Sequence, residues 1–115
     1  MASIFKKTLK KYINKKKIYL IAEAGVNHNG KLSVAKKLIF KAKKSGADAI
    51  KFQSFSAENV VTKNAKKAEY QIRNTKNSGT QFNMIKNLEL KNKDFYALKK
   101  IAKLNNIDFI SSVFD

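Results

Sequence analysis

Ile18-Tyr-Leu-Ile-Ala22 is a continuous apolar run, the pattern of a strand covered on both faces. A polar loop from Gly25 to Gly30 follows. Leu32, Ala35, Leu38, Ile39 and Ala42 then recur at helical spacing, with Lys36, Lys37, Lys41, Lys43 and Lys44 mostly on the other faces. Gly46 stands where a left-handed residue closes such a helix. Ala49-Ile-Lys-Phe-Gln53 predicts a second strand, and alternation puts Ala49, Lys51 and Gln53 on one face and Ile50 and Phe52 on the other. Ser54 to Gly79 is a long polar excursion of the kind that is usually functional. Thr80 to Leu88 predicts a short helix with Phe82, Ile85 and Leu88 on one stripe. Asn92 is the expected N-cap of the next helix, and Asp94 suits its positive first turn. Phe95, Leu98, Ile101 and Ala102 form that helix's apolar face, Asn105-Asn106 end it, and Ile107-Asp-Phe-Ile-Ser111 predicts a third strand.

Strands alternating with helices in this order predict a parallel α/β sheet with right-handed crossovers. Parallel strands share one carboxyl-end rim, where barrels of this construction carry their chemistry. Glu23 and Lys51 fall where the first two apolar runs give out. An acid and a base on one rim point to a polar, anionic substrate. A Lys inside an apolar strand costs on the order of several kcal/mol unless its charge is compensated. An anionic substrate group would compensate it, and so would a structural salt bridge with Glu23. A bare Glu at a strand end is more often structural than functional. A lone His rarely holds a metal, because metals usually take three or more protein ligands. His28 is therefore read as lining the site, with substrate contact and a loop-structural role both open. Gln53 faces the same way as Lys51, and Asn27 shares the loop with His28.

Composition changes this picture in three ways. At 115 residues the chain has room for one small domain. It is too short for a complete eight-unit barrel, which needs about 200 residues or more. With no Cys it offers neither disulfides nor thiolate ligands, and with no apolar run near the ~20 residues of a membrane span it is expected to be soluble and cytoplasmic. The net charge of +17 raises a competing reading, a non-catalytic basic module that binds nucleic acid or anionic surfaces. Against it, all of the basic residues except Arg73 are Lys, whereas base readout and phosphate clamps favour Arg. The lysines are spread along the chain as well. Their densest cluster, Lys6 to Lys17, reads as a solvated basic leader over residues 1–17.

Five stretches then carry a resemblance. Ile21-Ala-Glu-Ala-Gly-Val-Asn-His-Asn-Gly30, Gly46-Ala-Asp-Ala-Ile-Lys-Phe-Gln53, Ala68-Glu-Tyr-Gln71, Met84-Ile-Lys-Asn-Leu-Glu-Leu90 and Phe109-Ile-Ser-Ser-Val-Phe-Asp115 resemble, in this order, the sialic acid synthase family. That family includes N-acetylneuraminate synthases and relatives making legionaminic or pseudaminic acid. The resemblance covers residues 18–115 and implies the first three βα units of a TIM-type barrel. It implies an enzyme type that condenses phosphoenolpyruvate with an N-acylated mannosamine-type aldose, water entering and phosphate leaving. Lys51 is then expected to anchor phosphoenolpyruvate, and Glu23 to act at the aldose. Asn27, His28, Gln53 and, in the long loop, Tyr70, Gln71 and Asn74 are expected to contact substrate. The resemblance also implies a divalent metal, Mn²⁺ or Mg²⁺, whose ligands come from later strands. No metal ligand is assigned within this chain. The 115 residues alone are expected to be inactive, and to self-associate or be complemented by a C-terminal part. One departure stands out: the family usually has Ser-Thr-Pro-Phe where this chain has Ser111-Ser-Val-Phe114, and the missing Pro predicts a looser turn there.

Overall fold

The computed structural model describes residues 17–61 and 80–114, together with Lys10, Tyr12, Ile13 and Lys15. The elements are β1 (Ile21–Gly25), α1 (Leu32–Lys44), β2 (Ala49–Ser54), a single turn α2 (Ala57–Val60), α3 (Gln81–Leu88), α4 (Asn92–Leu104) and β3 (Asp108–Val113). All three strands are parallel, in the order β1-β2-β3. This is the alternating α/β sheet read from the sequence, an open arc of a barrel-type fold.

Four boundaries differ from expectation. β1 begins at Ile21, three residues later than the apolar run, while Ile18 is 87% exposed. Apolar composition marks what a residue tolerates, but pairing is set by the neighbour: β2 starts at Ala49, and Ile21 is its partner. Glu23 is therefore the middle residue of β1 and not its end. The cap of α4 is Lys91, with Asp94 accepting the Lys91 backbone N–H at 3.2 Å; Asn92 is the first helical residue. β3 runs on to Val113, and the Phe114 N–H donates to Ser54 O at 3.0 Å, so no loose turn opens there. Finally, the polar excursion opens with a helical turn, α2, whose Ala57 N–H donates to Glu89. Burial works against the Glu89 carboxylate, but this bond and Lys86 together hold its pKa below the usual range. The rest of the excursion, residues 62–79, lies outside the described residues.

The core lies between the sheet and α1 and α4. Ala35, Ile39 and Ala42 of α1 and Leu98 and Ala102 of α4 pack on Ala24, Ile50 and Phe52. Phe52 and Phe109 stack across β2 and β3 with centroids 5.7 Å apart. Gly46 closes α1 at φ +87°, as its position predicts.

The N-terminal ends of the strands are tied by two tyrosines. Tyr12 Oη donates to Asp48 and Tyr19 Oη to Asp108, and the two rings meet edge-to-face at 5.0 Å. Asp48 also accepts the Leu20 N–H at 2.9 Å. That bond, then the Tyr12 hydroxyl, holds the Asp48 carboxyl below its ordinary pKa. Burial, then the bond to Asp108, pushes the Tyr19 phenol well up. Part of the basic leader is thus a strap across the base of β2 and β3.

β1 and β3 each pair on one side only among the described residues, and an unpaired edge is a template for association. The +17 charge keeps copies apart, and salt screens that repulsion beyond about 10 Å at ~0.1 M. Sedimentation velocity is expected to show a monomer at low ionic strength and growing association as salt rises. A monomer throughout the series contradicts this.

Candidate functional site

Register builds the site. Glu23 pairs with Lys51, Lys51 with Ile110, and Gln53 with Ser112. Because side chains alternate, these residues share the sheet face turned away from α1 and α4, while Ile50, Phe52 and Phe109 enter the core. Lys51 Nζ lies 2.7 Å from Glu23 Oε2. The two side chains are 35% and 48% exposed, so the lysine is not sealed in an apolar environment, and a carboxylate already balances its charge. A pair this exposed contributes about 1 kcal/mol or less to stability. An ammonium has three donors, and the one given to Glu23 leaves two for a ligand.

A bulge between Glu23 and Gly25 ends the β1 ladder. Gly25 has φ +52°, and a β-carbon there would lie 3.5 Å from Glu23 Oε1 and 3.7 Å from Gln53 Nε2. Glu23 and Gln53 therefore converge over Gly25. Four polar side chains, Glu23, Lys51, Gln53 and Ser112, line the rim end of this open face. Ser112 was missed from the sequence because the third strand was ended one residue too early; the alternation that places Gln53 places Ser112 too.

The loop after β1 goes elsewhere. It winds through successive turns, Asn27 N–H to Ala24 O, Asn29 N–H to Val26 O and Lys31 N–H to His28 O. Asn27 is exposed at the rim. His28 is 1% exposed and lies beside Phe52, ring centroids 6.1 Å apart, on the helix-covered side of the sheet. Its Nδ1 accepts the Gly30 N–H at 3.0 Å, and its Nε2 has no partner among the described residues. An accepting Nδ1 puts the proton of the neutral ring on Nε2, and burial lowers the pKa. Gly30, at φ +68°, abuts α3 so closely that a β-carbon would fall 2.1 Å from Asn87 O. His28 thus anchors the loop instead of sharing the face of Lys51. Tyr70, Gln71 and Asn74 lie outside the described residues. No three His, Asp or Glu side chains gather into a metal site among the described residues.

An open parallel sheet with a polar rim at its strand ends defines a barrel-type α/β enzyme scaffold. A family model described as the NeuB family matches residues 38–115, and the chain belongs to that family. It is 53% identical over 97 residues to N,N'-diacetyllegionaminic acid synthase of Legionella pneumophila, a match covering 84% of this chain and 27% of the relative. It is likewise 53% identical over 100 residues to the Campylobacter jejuni protein of that name, covering 87% and 30%. Among solved structures, an N-acetylneuraminic acid synthetase from Leptospira borgpetersenii, crystallised with citrate, superposes with a TM-score of 0.63 at 33% identity, covering 85% of this chain and 30% of the other. The chain spans less than a third of the length of these relatives.

Two measurements check the anchored loop. His28 is the chain's one histidine, so no other ordinary side chain titrates near pH 6.5. Its pKa is lowered by folding, so the unfolded chain takes the proton first. Stability is therefore fully present above about pH 6.5 and is lost as pH falls below it. His28→Gln is expected to flatten that loss in thermal melts, and a flat profile in the unchanged chain contradicts the assignment. Gly30→Ala, which combines positive φ with the clash on Asn87, is expected to cost on the order of 2–4 kcal/mol in denaturant melts.

Proposed function

We propose that this chain supplies the first three βα units of a nonulosonic acid synthase, an enzyme that joins phosphoenolpyruvate to an N-acylated mannosamine-type aldose. The observation that supports it is the Glu23–Lys51–Gln53 rim, met in a chain 53% identical to two legionaminic acid synthases. The reaction adds the enolpyruvyl methylene carbon to the open-chain aldehyde. Water adds at the carbon bearing the phosphate, and inorganic phosphate leaves.

In this reading Lys51 anchors an anionic group of phosphoenolpyruvate through the donors that Glu23 leaves free. Glu23 fixes the ammonium at 2.7 Å and offers its other oxygen, on the Gly25 side, to the hydroxyls of the aldose. Gln53, and Ser112 beside it, present neutral hydrogen-bonding groups at the same level. Asn27 reaches the rim from the loop, and His28 serves by fixing that loop. An ammonium held by a carboxylate binds an anion without leaving a bare buried charge when the site is empty.

The family expectation includes a divalent metal acting as a Lewis acid. The described residues do not fit one: they hold no cluster of three ligating groups, and His28 Nδ1 is already engaged. No step here runs through a metal, and its ligands are assigned to the rest of the barrel. No helix among the described residues is long and apolar enough to cross a membrane, and the proposed setting is the cytosol.

The test uses a chimera in which residues 18–115 replace the matching segment of the Legionella relative. Phosphate release dependent on both phosphoenolpyruvate and an N-acylated aldose is expected. Lys51→Met, which keeps the side-chain bulk, is expected to lower kcat/KM for phosphoenolpyruvate by about 100-fold, the scale of removing one partner of a charge-assisted contact, with a smaller effect on the aldose KM. Unchanged kinetics in Lys51→Met would remove the anchor role. The 115-residue chain alone is expected to release no phosphate above the protein-free control.

A further inference from the structure

The helix-covered side of the sheet is not evenly covered. α1 packs against β1 and β2, and α4 against β3. Beyond α4, on the flank of β3 away from β2, lies an open groove of about 340 Å³. Phe95 and Tyr96 of α4 form one wall, and Phe109, Ser111 and Val113 of β3 form the floor. Tyr96 is 76% and Val113 69% exposed. Ser111 Oγ is shut off from solvent yet has no hydrogen-bond partner among the described residues.

The backbone beside the groove is also unfinished. Asp108 N–H donates to Asp48 O and Phe114 N–H to Ser54 O, so the even-numbered N–H groups of β3 point at β2. By alternation, those of Phe109, Ser111 and Val113 point to the free edge. A right-handed crossover from β3 would lay a helix on the covered face beside α4, in the groove, and return a parallel strand to that edge.

We propose that this groove and edge form the docking surface for a separate polypeptide carrying the remaining part of the family's barrel, entering as an amphipathic helix followed by a strand. The identity of the partner rests on the synthase reading above. A second copy of this chain does not fit. Its free β1 edge is preceded by residues strapped to its own base through Tyr12 and Asp48, so pairing β1 with β3 would leave the groove empty. Two copies would also bring +17 against +17. The relatives, by contrast, extend more than threefold beyond the length matched here, which is ample for the missing helices and strands.

The experiment co-expresses the tagged 115-residue chain with the part of the Legionella relative that follows the matched segment, and purifies at low ionic strength. A soluble one-to-one complex is expected. Tyr96→Glu and Val113→Asp, both at exposed positions that leave the chain's own core intact, are expected to weaken it at least tenfold, with circular dichroism unchanged. Leu104→Glu, 74% exposed at the base end of α4, is expected to leave binding unchanged. If the remainder is recovered no better with the chain than without it, or if both groove variants bind within twofold of the unchanged chain, the docking surface is wrong. Phosphate release is read on the same complex. A complex without release keeps the docking surface and removes the synthase reading, whereas an active chimera with no complex does the reverse.

Discussion

Everything at the rim depends on the parallel register between β1 and β2. A strand alternates its faces with a period of two, so a slip of one residue moves every side chain to the other face. Such a slip in β2 would drive Lys51 into the space of Ile50 and Phe52, both at most 1% exposed. Burying an unpaired ammonium there costs several kcal/mol, on the order of the whole margin by which small domains are stable. The exposed pair with Glu23 contributes about 1 kcal/mol at most. Lys51 therefore specifies register far more through the state it forbids than through the bond it makes.

The strength of that constraint explains what the sequence made legible. Ala49 to Gln53 reads correctly because a charged residue between large apolar ones leaves a single choice of faces. The stripes of α1 and α4 read correctly for the same reason at helical period. Local pattern fails where the deciding partner is distant. Nothing near Ile18 says that pairing waits until Ile21, because Ala49, across the sheet, decides it. Nothing near Tyr12 or Tyr19 points to aspartates 36 and 89 residues further on. The site divides along the same line. Glu23, Lys51 and Gln53 come together by strand alternation. His28 leaves them because Asn29 and Gly30 adopt positive φ and turn the loop under the helix side, which a count of residues from the strand end does not reveal.

The two ends of the sheet answer to different demands. At the base, Asp48 and Asp108 are engaged by tyrosine hydroxyls, and their chemistry is spent on holding the strap. At the rim, the pair is close but half exposed, and its remaining donors and acceptors face open space. The same contrast disposes of the net charge as a guide to function. Lys51, at the candidate site, is balanced by Glu23, while α1 carries Lys36, Lys37, Lys41, Lys43 and Lys44 away from its buried Ala35, Ile39 and Ala42. The excess of positive charge belongs to solvated helix faces and the leader.

Val113 shows how one substitution links the two open features of β3. The family's usual residue there is Pro, which has no backbone N–H and suits a strand's unpaired side. The N–H of residue 113 points away from β2, so a Pro would cost nothing in the β2 ladder and would blunt the outer edge. With Val the ladder still runs to Phe114 N–H and Ser54 O, so Ser112 is held in line with Gln53. The same Val gives the outer edge one more unpaired donor and the groove one more exposed apolar side chain. Holding the rim in order and leaving the edge open to a partner are thus two consequences of the same residue.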